Sequence, residues 1–402
     1  MRSVKLCTLV CASVSLFAQD PAMVLMNQAS GTSVNPSAGA LPMVMTPAGS
    51  WSLSYMGQAF LDDTQQSGPR GGDKLYSSSW FMTSAEHSAG AQGAFQADVM
   101  LSLDPATITN RSYPLLFQTG ETAYGRPLVD AQHPHNFVMA LGFHYARKFG
   151  SAVWDVYFAP VGDPALGPVA FPHRASAIEI PQATISHHLQ DSTHIADEVI
   201  TSGISTGKVR LEASGFYGTE PWENRWTIQT GPINSWSARF WYFPSHRWAA
   251  QVSTGRIARP EVLEPGDQIR TTASLEYTRP VAHGTWASSL IWGRTHNTFS
   301  QLNLNSYLLE SVLPVSRKNF LTGRIELADK DELIPQIDNS SAFRIGAYTI
   351  GYTRDIAVWR SIETGIGANF TAYSLPAPAK LYYGDHPAGG NIFLRFRIRP
   401  TG

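Results

Sequence analysis

The chain has 402 residues, a formal net charge of −1 and 15% charged residues. A balance so close to neutral gives no electrostatic footprint for nucleic acid, and charge is scarcer than the roughly one quarter usual in soluble domains. No run of about 18 or more apolar residues offers a transmembrane helix.

The first segment, MRSVKLCTLVCASVSLFAQD, sets Arg2 and Lys5 before an apolar stretch from Leu6 to Phe17, with Ala18 before Gln19. This three-part form predicts a secretory signal over residues 1–18, cleaved after Ala18. Both cysteines, Cys7 and Cys11, fall inside it, so the exported chain would carry no disulfide. Val10 before Cys11 disfavours a lipoprotein. Residues 19–50 hold Met23, Met26, Met43 and Met45 among Ser, Gly, Pro and Ala. By composition they read as a flexible leader. Thioethers can hold Cu(I), but in such an arm methionines are more often incidental.

From Trp51 onward the period is two residues. Phe95, Ala97, Val99, Leu101 and Leu103 alternate with Gln96, Asp98, Met100, Ser102 and Asp104. Near the end, Leu394, Phe396 and Ile398 alternate with Arg395, Arg397 and Arg399. The pattern places strands near 51–60, 74–86, 93–103, 136–147, 152–160, 195–205, 208–218 and 235–243. Eight more follow near 247–257, 268–279, 284–295, 303–313, 319–328, 342–354, 359–374 and 390–399. A soluble sandwich also alternates. Here, however, Trp248, Trp286 and Trp292 sit near strand ends as an aromatic girdle would. Short links such as RKFGS, STGK and PVAHG alternate with long ones at 61–73, 104–135, 161–194, 219–234, 329–341 and 375–389. Short turns on one side and long loops on the other are expected of an outer-membrane barrel. The predicted fold is all-β: a closed antiparallel transmembrane β-barrel over 51–402, about sixteen strands (14–18), with long outward loops partly folded into the lumen.

Several blocks resemble an uncharacterised family of Gram-negative outer-membrane β-barrel proteins. They are TGETAYGRPLVDAQHPHNF, GDPALGPVAFPHRAS and HHLQDSTHI, with further similarity in EASGFYGTEPWENRW, IWGRTHN and GIGANFTAY. The resemblance covers nearly all of the chain after the signal. It implies a location in the outer membrane, but the family brings no settled substrate.

Six of the 12 histidines stand in two groups on neighbouring long loops: His133 and His135, then His173, His187, His188 and His194. Convergence would place them near Asp130, Asp163, Glu179 and Asp191. Neutral imidazoles bind Zn²⁺ or Cu²⁺, but the spacing matches no zinc signature, and a hydrogen-bonded network would use the same residues. Ser192 beside His194 and Asp191 offers a nucleophile with no oxyanion hole, so no enzyme is expected. Strand charges assigned to the inner face include Arg270, Arg324, Arg344, Arg354, Arg395, Arg397 and Arg399 with Glu212, Glu276 and Glu326. They would line a pore favouring anions or pair across strands. The expected function is a porin-like channel for small polar or anionic solutes, needing no cofactor, with the His-rich loops 104–135 and 161–194 at its mouth. The alternative is an outer-membrane protein that binds or handles copper or zinc. Expected partners are outer-membrane lipid, the barrel-assembly machinery, and small solutes or metal ions.

Overall fold

The computed structural model describes residues 20–39, 41–191, 195–334 and 342–400; the predicted signal, Ser192 and His194 lie outside them. The strands are β1 (Val44–Ala48), β2 (Trp51–Gln66), β3 (Gly72–Ser88), β4 (Gly93–Leu101), β5 (Tyr113–Ala123), β6 (Arg126–Gln132), β7 (Val138–Phe149), β8 (Ala152–Val161) and β9 (Ala196–Thr206). They continue as β10 (Val209–Gly218), β11 (Ser235–Ser245), β12 (Trp248–Ile257), β13 (Gln268–Val281), β14 (Gly284–Asn297) and β15 (Asn303–Ser316). The last four are β16 (Asn319–Lys330), β17 (Phe343–Trp359), β18 (Ile362–Ser374) and β19 (Ala388–Ile398). All but β1, β5 and β6 join one closed antiparallel barrel of sixteen strands, sealed where β19 pairs with β2 (Arg395 opposite Phe60). Closure leaves no unpaired edge of backbone donors and acceptors, as a lipid environment demands.

The alternation explains the wall. On β19, Ile392, Leu394 and Phe396 are 61%, 37% and 39% exposed, whereas Arg395 between them is 0% exposed. Apolar residues therefore face out and charged ones face in, the inverse of a water-soluble sandwich. Seven connections on one rim are short, from two to four residues long, for instance 150–151, 207–208 and 360–361. The opposite rim carries the segments 102–137 and 162–195. Alternation is less strict than the sequence implied, since 67–71 and 298–302 on that rim are also short.

Among the described residues, three segments occupy the lumen. The first corrects the expectation of a flexible leader: within residues 20–39, helix α1 (Pro21–Met26) seats Leu25 against Ala94, Ala146 and Val153, and Val34 meets Trp241, Phe243 and Ala249. The small polar residues that suggested disorder satisfy wall groups instead; Arg239 Nη2 donates to Thr32 Oγ1 at 3.0 Å. The second segment is the hairpin β5–β6, where the sequence suggested only a folded loop. The third, 162–191, is tied to the wall by ion pairs and hydrogen bonds. Arg174 Nε donates to Glu310 Oε1 at 2.6 Å, and Ser186 Oγ donates to Glu326 Oε2 at 2.7 Å. Glu179 joins Arg395 and Arg397, the latter at 2.7 Å. A short helix α2 (Asp104–Thr107) precedes the hairpin, and segment 162–191 ends in helix α3 (His187–Gln190), which lies so close to β14 that a Cβ on Gly293 would collide with the Leu189 carbonyl. Only glycine leaves room for that approach.

One part of the predicted inner face is wrong. Arg344 and Arg354 share the strand parity of the outward Tyr348, Ile350 and Tyr352, and both are exposed. On β17 the inward positions are Ile345, Ala347, Gly351 and Thr353. Both faces of that strand carry apolar residues, so polarity there gives no parity. Arg344 pairs with Asp329 at 2.8 Å on the outer side of the wall.

Candidate metal centre between the plug segments

The hairpin β5–β6 and helix α3 bring three of the six predicted imidazoles together. His133 follows β6, and His187 and His188 open α3. One ring nitrogen from each lies within 4.8 Å of the other two. The ring centroids of His187 and His188 are 4.0 Å apart, and those of His133 lie 5.6 and 5.5 Å from them. Ligands about 2.0–2.1 Å from a tetrahedral Zn²⁺ would stand about 3.4 Å apart. Closing from the observed spacing requires side-chain movement of about 1 Å or slightly more.

Neighbouring groups hold these rings. His133 Nε2 faces Glu121 Oε1 at 3.1 Å, and His187 Nε2 contacts Gln132 Oε1 at 3.2 Å. Glu121 also pairs with Arg225. Burial pushes the Glu121 carboxyl up, and the Arg225 charge opposes the shift. Glu121 sits at φ 67°, a left-handed conformation unusual outside glycine; it costs about 1–3 kcal/mol and persists only because its surroundings impose it. Gly120 beside it is at φ 100°, and a Cβ there would collide with the His188 ring. Strained backbone, a carboxylate and an amide thus converge on three imidazoles. A carboxylate next to a ligating imidazole is the usual way of orienting it.

The other predicted histidines go elsewhere. His135 Nδ1 bonds Asp104 Oδ2 at 2.7 Å. His173 is 1% exposed, with Nε2 3.0 Å from Met100 Sδ and its ring centroid 4.3 Å from that of Trp80. Burial, and then the nearby His135 charge, push His173 down to about 3, so it is neutral at ordinary pH. The nearby carboxyls move the other way: burial raises Asp163 to about 6 and Asp191 to about 7. His144, outside both loop groups, sits on the wall with Nε2 2.8 Å from Asp98 Oδ1.

The residues expected to line an open pore face the plug or one another. Glu212 accepts from Arg239 Nε at 2.8 Å and Trp241 Nε1 at 2.7 Å. Arg324 reaches Glu310 and the Gln182 carbonyl, each at 3.0 Å. Arg270 donates to Gln268 Oε1 at 2.7 Å and lies 3.4 Å from the Asp191 carbonyl. Arg395 and Arg397 share Glu363 and Glu179, and Arg399 also pairs with Glu363. Glu276 and Glu326 are 2% and 3% exposed.

Two cavities flank the histidine trio. The larger, about 760 Å³, is lined by His133, His135, His173, His187, Met100, Asp163 and Arg225. The other, about 540 Å³, touches His188 and Gly120 and opens among Glu261, Glu264, Asp331 and Glu332, with Arg270 and Lys330. There, burial and then the Glu261 charge push Glu264 up to about 11. Glu121, Gln132, Gly120 and Arg225 escaped the sequence reading. The only signal for them was their position inside blocks of the family resemblance: Gly120 and Glu121 in TGETAYG, Gln132 in AQHPH and Arg225 in EPWENRW.

No family model matches the chain, and no curated protein matches it either. Among solved structures it is similar to an anion-selective porin from Comamonas acidovorans, with a TM-score of 0.54 and 10% identity, covering 87% of this chain and 100% of that one. It is also similar to OmpF of Salmonella typhi, with a TM-score of 0.52 and 8% identity, covering 88% and 100%. At such identity the likeness concerns the fold: a sixteen-stranded barrel built like the outer-membrane porins.

Proposed function

We propose that the chain is a restricted porin-like channel of the outer membrane, passing small polar solutes through the space its plug leaves. The observation that carries this reading is the inverted barrel, apolar outside and charged inside, with a cleft of about 760 Å³ remaining beside the inward-folded segments. The apolar belt would meet outer-membrane lipid, reached through a cleaved signal and the barrel-assembly machinery. Membership of the uncharacterised barrel family named above belongs to the same proposal. The preference for anions has less support, because the wall arginines are engaged by carboxylates and carbonyls and the cavity beside His188 is rich in acidic residues. No catalytic role is proposed for any residue. Purified protein in planar bilayers should give small, well-defined conductance steps. Complete electrical silence in both the wild type and plug-loosened variants would overturn the reading.

A second reading has its own observation, the convergence of His133, His187 and His188. It takes these residues as a site for Cu²⁺ or Zn²⁺, with Glu121 and Gln132 orienting two of the rings. Calorimetry should detect about one equivalent of Zn²⁺ or Cu²⁺, with about 10- to 100-fold weaker binding in Glu121→Gln. Equal binding by wild type and a His187→Ala, His188→Ala double variant would remove this site.

A further inference from the structure

The strand register assembles something the linear sequence hides. Met56 on β2 stands opposite Met82 on β3, and Met82 stands opposite Met100 on β4. Directly opposed residues on neighbouring strands have Cβ atoms about 4.5–5.5 Å apart on the same face. That face is the lumen: Met82 and Met100 are 8% and 5% exposed, and they cluster with Met56, Met139 and Trp80. The next inward row on one side is Ser54, Ser84 and Asp98, and on the other side Gln58 precedes Trp80. Three thioethers in register therefore interrupt a largely polar wall. From the plug, His173 places Nε2 3.0 Å from Met100 Sδ.

The leader adds to the same place. Met26, Met43 and Met45 line a cavity of about 430 Å³ together with Met56 and Met82. Met100 and Met139 line the larger cavity that also touches His133 and His187. Every methionine from Met26 to Met139 thus borders one of two cavities, with the Met56–Met82–Met100 row between them. Leu25, packed against Ala94, Ala146 and Val153, borders the first of these cavities as well. Thioethers are soft, uncharged ligands that select Cu(I) over harder divalent ions.

We propose that Met56, Met82 and Met100, with His173, form a binding site for a soft monovalent metal ion, Cu(I) or its analogue Ag(I). The site is separate from the histidine trio and depends on neither reading above. The Met-lined cavities on its two sides give the ion an approach from the leader side and an exit toward the trio.

The test titrates the full-length protein in detergent with silver nitrate in chloride-free buffer, followed by anaerobic Cu(I) competition against a chromophoric chelator. About one equivalent of tightly held Ag(I) is expected. Met82→Leu with Met100→Leu, which conserves volume and therefore folding, should weaken binding roughly tenfold or more. His187→Ala with His188→Ala should leave it unchanged, and excess Zn²⁺ should not compete. X-ray absorption on the silver-loaded wild type should find sulfur neighbours, a readout that requires no variant to fold. Wild-type silver affinity in the leucine variant would overturn the proposal. So would loss of silver binding with the His187 and His188 substitutions, or a metal shell of nitrogen and oxygen alone.

Discussion

Replacing Glu179 by Gln should loosen the plug. Glu179 is 1% exposed and holds Arg395 and Arg397 of the last strand from the middle of segment 162–191. Gln keeps the shape but removes the charge. Removing one partner of a buried pair costs about 3–5 kcal/mol, because the other charge remains in a low-dielectric site. Here Glu363 still accepts from Arg395 at 2.8 Å and from Arg397 at 2.5 Å, and Asp355 also pairs with Arg395. The low end, about 3 kcal/mol, therefore applies. Ten-fold per 1.4 kcal/mol makes that a shift of about a hundredfold between plug seated and plug released. The assay is single-channel recording in planar bilayers, with correct folding checked by the heat-dependent gel shift of the barrel. Glu179→Gln should open far more often than wild type, and adding Glu310→Gln, which frees Arg174, should increase opening further. A folded Glu179→Gln protein with wild-type opening frequency would refute the idea that these ion pairs hold the plug.

Three further outcomes follow from the geometry. Gly293→Ala should displace α3 from β14 and speed hydrogen exchange in residues 187–190, without unfolding the barrel; unchanged exchange would contradict the close contact. Gly120→Ala should push the His188 ring from the trio and weaken Zn²⁺ binding by about 10-fold or more in calorimetry, while leaving Ag(I) binding intact. Glu220 sets a pH dependence. It accepts from the Glu121 backbone N–H at 3.0 Å, and burial, then the Glu261 and Glu121 charges, push its carboxyl up to about 9. The closed loop thus keeps a proton that the open one loses above about pH 4.5. Its contribution to closure is full below that value and is lost as pH rises through about 9. Hydrogen exchange in residues 219–234 should accelerate between pH 5 and 9 beyond its intrinsic rate, a trend that Glu220→Gln should flatten; an equal slope in the variant would contradict this.

How far the sequence reaches can be argued strand by strand. LRFRI on β19 was legible because a two-residue period with arginine on one face and Leu394, Phe396 and Ile398 on the other fits only one orientation of the wall. FRIGAYTIGYT on β17 was not, because small apolar residues fill its inner face where the plug lies close, so Arg344 was turned the wrong way. The leader misled for a related reason: Ser, Gly, Pro and Ala suit a mobile arm, but they suit equally a segment packed into the lumen, where Thr32 and Asn35 bond to the wall and plug. His133 and the His187–His188 pair were identifiable as loop residues that could meet. The separation of His135 and His173 from them depends on the turn after β6 and on the path of 162–191. The methionine row was least legible of all, since Met56, Met82 and Met100 are brought together by strand register alone.

Single-channel recording of the wild-type protein tests the central claim most directly. Ionic current far smaller than that of an unplugged sixteen-stranded barrel, rising in Glu179→Gln, is the predicted result. A large, steady conductance in the wild type, unchanged by loosening segment 162–191, would contradict it.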